Sequence, residues 1–196
     1  MRAPTRMERL RESTRLVHAR LEGSLALVQP GLTASRYLRV LEAFYGFYAP
    51  LEPLVMRAVA QDGAALALEL RVKAPLLEAD LSRLLRTRAQ IDELPRCTDL
   101  PRVAQRSQAL GALYVMEGAT LGGQIIGRYL RDHLGIDAAS GALFFAGYGV
   151  ETRARWLAFS RHVDDAADID NELLDAAAVS TFESLERWLD VASGRS

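Results

Sequence analysis

His18 and Glu22 stand four residues apart in Thr14-Arg-Leu-Val-His18-Ala-Arg-Leu-Glu22. On a helix this spacing stacks the two side chains on one face. The carboxylate can then accept the proton of one imidazole nitrogen and leave the other nitrogen free to bind a metal. His18 also shares a stripe with Thr14, Val17, Leu21, Leu25 and Val28, so it is expected to face inward. The other histidines have plainer readings. His133, two residues before Gly135, suits a helix C-terminus, and His162, beside Phe159 and Val163, reads as a structural residue with a polar tip. Other chemistries lack their residues. Cys97 is the single cysteine, which excludes an intrachain disulfide and a thiolate cluster for zinc or iron–sulfur. No glycine-rich loop follows a strand to cradle phosphate, and no nucleophile elbow occurs. Asp164-Asp165, with Asp168 and Asp170, fit neither a calcium loop nor a helical Glu-x-x-His pattern and read as a solvated helix end.

A second stretch is conspicuous for what it lacks. Residues 109–127 have helical apolar periodicity, with Gly135 as a stop, yet Gly111, Gly118, Gly122, Gly123 and Gly127 all lie within the run. At about 1 kcal/mol per glycine relative to alanine, they forfeit about 4 to 5 kcal/mol of helix propensity, comparable with the low end of a domain's net stability. Two causes stay open. Gly111, Gly118 and Gly122, spaced by seven and four, could let a neighbouring helix approach closely. Alternatively, a flat ligand lies on the bared face and Gly122-Gly123 lets the helix bend over it. A membrane span is disfavoured by Glu117 in mid-run, with Thr120 and Gln124 nearby.

These two stretches need a scaffold, and the chain reads as all-α. A first helix is expected from near Arg6 to Val28, stopped at Gln29-Pro30-Gly31. Thr33 or Ser35 caps a second helix carrying Tyr37, Leu41, Phe44 and Tyr48, which Pro50 and Pro53 kink or end. A short helical segment is expected around Ala64 to Arg71, and another helix from Leu76 to about Ile91. Asp99 is the expected cap of the glycine-rich helix. Residues 135–149 form a connector with buried aromatics, followed by helices through Trp156 to about Asp168 and from Leu174 to Leu189. The 196 residues suit one domain, 1–196, with residues 1–6 as a flexible N-terminus.

The totals narrow the partners. A net charge of -1 with 25% charged residues gives no global basic field for nucleic acid. The N-terminus has no apolar core of the secretory kind, and with the lone cysteine this fits a cytoplasmic protein with no membrane association. Nearly all the positive charge is arginine, Lys73 being the only lysine, and guanidinium suits carboxylate ligands.

Taken together, these residues resemble the haem oxygenases, specifically the bacterial branch paired with phytochromes, over most of the chain. Thr14 to Glu22 is similar to the proximal helix, in which His18 would be the axial ligand of haem iron and Glu22 its support. Leu113-Tyr-Val-Met-Glu-Gly118-Ala-Thr-Leu-Gly122-Gly123-Gln looks like the distal helix over the haem. Phe44-Tyr-Gly-Phe-Tyr-Ala-Pro50-Leu-Glu and Lys73-Ala-Pro-Leu-Leu-Glu-Ala-Asp80-Leu also resemble that branch. The resemblance implies a helical fold that sandwiches haem between the first helix and a kinked glycine helix, with Gly118, Gly122 and Gly123 on the catalytic side. Backbone against the porphyrin would leave room for dioxygen where side chains would block it. It implies oxidative opening of haem to biliverdin with release of CO and iron. Haem would be both cofactor and substrate, O2 the oxidant, and the electrons would come from a ferredoxin or an NAD(P)H-dependent reductase. A phytochrome is an implied acceptor of the bilin. Arg11, seven residues before His18, is similar to a basic propionate partner and Arg161 to another, with Tyr114 assisting. One position departs from the family: Ala119 stands where well-studied members carry an aspartate that anchors water. Glu117 is the nearest carboxylate, either acting through water or salt-bridged as an ordinary helix residue. Ala119 keeps open a non-catalytic haem- or bilin-binding protein on the same fold, and packing glycines keep open a helical interaction module.

Overall fold

The computed structural model describes residues 2–192, and among them there are nine α-helices and short 3-10 turns but no strand. Helix α1, Arg6–Leu25, begins at a capping box. The Thr5 hydroxyl accepts the Glu8 N–H, and the Glu8 carboxylate accepts the Thr5 N–H at 2.8 Å. Arg6 donates to the carbonyls of Val163, Asp164 and Ala166 at 2.8–3.0 Å. Thr5 and Arg6, within the segment expected to be flexible, make these hydrogen bonds; Met1 lies outside the described residues. The helix stops three residues earlier than expected, because Ala26 turns left-handed at φ 48° and Leu27 drops into the core.

Helix α2, Ala34–Ala58, is capped by Thr33 and runs through both of its prolines. Pro50 has no N–H to give the carbonyl of Gly46, four residues back. That carbonyl accepts the Cys97 N–H instead, at 2.9 Å, so the group freed by proline is satisfied from a loop. Only glycine fits at 46: a Cβ there would lie 2.5 Å from the Pro95 carbonyl and 2.7 Å from the Trp188 ring. Tyr37, Leu41, Phe44, Tyr48, Leu51 and Val55 form the buried stripe.

After the short α3, Gly63–Leu66, helix α4 covers Ala74–Arg83 and α5 Arg88–Asp92. The single helix expected from Leu76 to Ile91 is thus broken, with Leu85 left-handed at φ 68° and the Arg86 N–H closing back on the Leu81 carbonyl at 3.0 Å. This is the helix-ending turn that glycine usually makes, so a leucine gave no warning of it.

Helix α6, Arg106–Leu134, runs unbroken through its glycines. Its N-cap is Gln105, not Asp99, whose carboxylate instead receives Arg187 at 2.8 Å. The connector forms α7, Leu143–Ala146; α8 spans Thr152–Asp165 and α9 Asn171–Ala192. Helix α9 packs against both α1 and α6. A Cβ on Gly111 would lie 2.3 Å from the Leu174 carbonyl of α9, so this glycine serves packing. No helix among the described residues is long and apolar enough to cross a membrane.

Candidate haem site

Between α1 and α6, above α9, lies a cavity of about 610 Å³, within the range of small-molecule and cofactor sites. Its first wall is one stripe of α1: Arg11, Thr14, Arg15, His18, Leu21, Glu22 and Leu25. The burial of Leu10, Thr14, Val17 and Leu21 against the core rotates the helix so that this polar edge meets the cavity. His18 is therefore not a core residue. Its side chain is 51% exposed, its ring meets Phe182 edge-on at 5.4 Å, and its Nδ1 lies 3.7 Å from Glu22 Oε2. That separation places the carboxylate beside the imidazole without a direct hydrogen bond.

The second wall is α6, and here the glycines divide. A Cβ added to Gly118 or Gly122 would meet nothing within 4 Å, and both residues line the cavity beside Ala119 and Leu121. Gly123 is a correction to the sequence reading: its Cβ would lie 2.6 Å from the Phe145 carbonyl, so it admits the connector and turns away from the cavity. Gly127 has open space around it. One step along a helix turns a side chain by about 100°, which is why neighbours in the motif serve different ends.

The rest of the lining is aromatic and aliphatic: Phe44 and Tyr48 from α2, Phe144 and Phe145 from α7, Trp156 from α8, Phe182 and Leu185 from α9. Tyr114 joins them beside Trp156, ring centroids 5.7 Å apart. Burial holds its phenol above the ordinary value, against the opposing effects of the Thr14 hydroxyl and the Arg11 charge. Burial likewise raises Tyr48, with the charges of Glu52 and Glu117 adding to it.

Arg11 lines the cavity as expected, but Arg161 does not. It is exposed on α8, whose neighbouring His162 points to Asp62 at 2.9 Å. The second basic group is Arg15, one turn from Arg11 and three residues before His18, in a loose 3.6 Å contact with Glu12. That helical spacing could have identified it.

Glu117 is also resolved. It faces away from the cavity and is buried in an ion cluster with Arg71, Lys73 Nζ at 2.9 Å and the Tyr148 hydroxyl at 2.7 Å. The salt-bridged reading of Glu117 holds. No cluster of three histidine, cysteine or acidic residues suited to a bare metal ion occurs among the described residues.

The residues present fit a flat, dianionic iron porphyrin. The cavity has an accessible imidazole on one wall, bare backbone on another where any Cβ would take up space, aromatic sides, and two arginines on the imidazole's own stripe. Comparison with known proteins points the same way. A family model described as "Heme oxygenase" matches residues 5–190. A heme oxygenase from Neisseria meningitidis, solved with NO and CO bound, superposes with a TM-score of 0.80 at 22% identity, covering 98% of this chain and 94% of that one. The heme oxygenase of Leptospira interrogans gives 0.71 at 19%, over 93% and 97% of the two chains. Heme oxygenase-1 of Synechocystis, solved in complex with heme, gives 0.72 at 15%, over 98% and 94%. No curated protein matches the sequence. The match across nearly the whole chain places this protein in the haem oxygenase family.

Proposed function

We propose that the protein binds haem between α1 and α6 and opens it to biliverdin, releasing CO and iron, with O2 as oxidant and electrons from a separate reductase or ferredoxin. The observation that carries this reading is the asymmetry of the cavity, with His18 on one wall and the bare backbone of Gly118 and Gly122 on the other. Haem, when bound, supplies the oxygen-activating iron and is itself the substrate. The protein's residues bind and orient it. His18 is the group that would hold the iron, with Glu22 close enough to favour its correct tautomer through water. Arg11 and Arg15 would fix the propionate edge by charge-assisted bonds. The aromatic lining excludes water from the porphyrin faces, and the absence of side chains at Gly118 and Gly122 leaves room for a small gas molecule.

Ala119 favours a second reading. It lines the cavity and can hold no proton, and Glu117 is committed to its buried ion pairs, so the second wall presents no acid. A haem- or bilin-binding protein that leaves the ring intact would look the same. Supplying reductant to the haem-loaded protein in air separates the two readings. Biliverdin and CO support the oxygenase, whereas intact haem after reduction supports the binding protein. A protein that takes up no haem loses both. A phytochrome as bilin acceptor rests on the sequence resemblance, and a cytoplasmic setting on the lone cysteine and the character of the N-terminal residues.

A further inference from the structure

Helix α4 contributes nothing to the cavity lining, although its segment Lys73 to Asp80 is one of the stretches that mark the chain's resemblance to the family. Its N-cap and one polar residue are nevertheless deeply buried: Lys73, the chain's only lysine, is 1% exposed and Asp80 0%. Seven residues apart, they fall on one side of the helix about two turns from each other.

Each holds one end of the connector that carries Phe144 and Phe145. At the start, the two Asp80 oxygens accept the N–H groups of Leu143 and Phe144, each at 2.8 Å. At the end, Lys73 Nζ donates to the Tyr148 hydroxyl at 2.6 Å and to Glu117 Oε1 at 2.9 Å, and Tyr148 donates to the same Glu117 oxygen at 2.7 Å. Between these two ends the connector backbone lies directly on α6. Phe145 meets Gly123, and Gly147, left-handed at φ 56°, comes against Thr120, so that a Cβ there would be 3.3 Å away. Burial raises the Asp80 carboxyl and lowers the Lys73 amine, so each depends on its directed bonds rather than on solvent.

We infer that α4 is a positioning element for the cavity: Asp80 at one end, and Lys73 with Tyr148 and Glu117 at the other, clamp residues 143–148 onto α6. The clamp fixes the Phe144–Phe145 wall and the glycine face beside it before any ligand arrives. The use of that wall rests on the haem reading above; the clamp itself does not.

Tyr148→Phe tests it most gently, because the ring that lies 4.3 Å from Lys73 Nζ and 4.9 Å from the Arg155 guanidinium is retained and one hydroxyl is lost. In the unliganded protein, amide hydrogen exchange at 143–148 is expected to accelerate about tenfold or more while α1 and α9 keep their rates. Affinity for zinc protoporphyrin, a flat probe that cannot turn over, is expected to fall several-fold. Asp80→Asn is expected to accelerate Leu143 and Phe144 most. Should that variant not fold, Lys73→Met with its partial rescue by Lys73→Arg provides the second test. Unchanged exchange at 143–148 in Tyr148→Phe overturns the inference, as does equal acceleration along the whole chain or faster exchange with unaltered porphyrin affinity. A wild-type protein that takes up no porphyrin refutes the haem reading and leaves the exchange result to decide the clamp.

Discussion

Adding one methyl group is expected to raise stability at Gly122 and to leave it unchanged or lower it at the neighbouring Gly123. Either substitution by alanine recovers about 1 kcal/mol of helix propensity. At Gly122 nothing lies within 4 Å of the new Cβ, so the gain is kept. For a chain of this size it raises the melting temperature by about 2–4 °C. At Gly123 the methyl would lie 2.6 Å from the Phe145 carbonyl oxygen and 3.2 Å from its Cα, and the backbone in the way is held at both ends by hydrogen bonds to Asp80 and Glu117. Overpacking of this kind costs about 1–3 kcal/mol, which cancels or exceeds the propensity gain. Gly123→Ala is therefore expected to unfold at an equal or lower temperature than wild type. Thermal unfolding of the unliganded proteins, followed by circular dichroism, gives the comparison. A haem titration adds the functional half, since the Gly122 methyl enters the cavity and is expected to weaken uptake despite the higher melting temperature. Gly122→Leu, whose side chain fills the space at that wall, is expected to abolish turnover. If Gly123→Ala stabilises as much as Gly122→Ala, or Gly122→Leu turns over normally, the assignment of these glycines is wrong.

Other expectations concern the first wall and an ion pair far from it. His18→Ala should lose or strongly alter the iron-ligation spectrum of the haem complex, with added imidazole restoring it. Glu22→Gln, at 3.7 Å and exposed, should change haem affinity less than about tenfold, the low end for residues that support a ligand; a larger loss in Glu22→Gln than in His18→Ala would reverse the roles. Arg11→Ala and Arg15→Ala should each lower haem affinity several-fold, with the loss shrinking at high salt, while Arg161→Ala leaves it unchanged. Equal effects at all three positions would return Arg161 to the site. Asp62 reports on stability. Burial acts to raise its carboxyl, but Arg106 at 2.7 Å and His162 outweigh it and hold the group below its ordinary 3.8. A depressed acid stabilises fully above the unfolded value and loses that contribution as pH falls through the folded one. Asp62→Asn should thus be destabilised by about 1–3 kcal/mol at neutral pH, with the gap narrowing below pH 3.8. A gap that stays constant into acid would contradict the ion-pair account.

The architecture was legible wherever one helix face decides burial. The α1 stripe, the α2 aromatics and the long α6 follow from 3.6-residue periodicity, which depends on local sequence alone. What periodicity cannot supply is the identity of the neighbour. Gly123 packs against the connector instead of facing the cavity because nothing within residues 109–127 says where the connector will lie. The break at Leu85 carries no glycine, and the run of Gln105 before α6 carries no side-chain cap, so both boundaries escape local rules. His18 was placed on an apolar stripe and lies on its rim, half exposed, because the stripe's edge faces a cavity rather than the core. Arg15 was readable from its spacing to Arg11 and His18, whereas the placement of Arg161 required knowing how α8 rotates. The pairing of Lys73 with Glu117 across 44 residues, and of Asp80 with the connector across 63, belongs wholly to tertiary structure.

The central claim is that one cavity presents His18 to the iron and bare α6 backbone to the other face. A crystal structure of the haem complex measures this directly. The account predicts haem between α1 and α6, His18 as the iron's protein ligand, the propionates toward Arg11 and Arg15, and Gly118 and Gly122 against the opposite face. Iron held by any other residue, or haem bound outside this cavity, would contradict it.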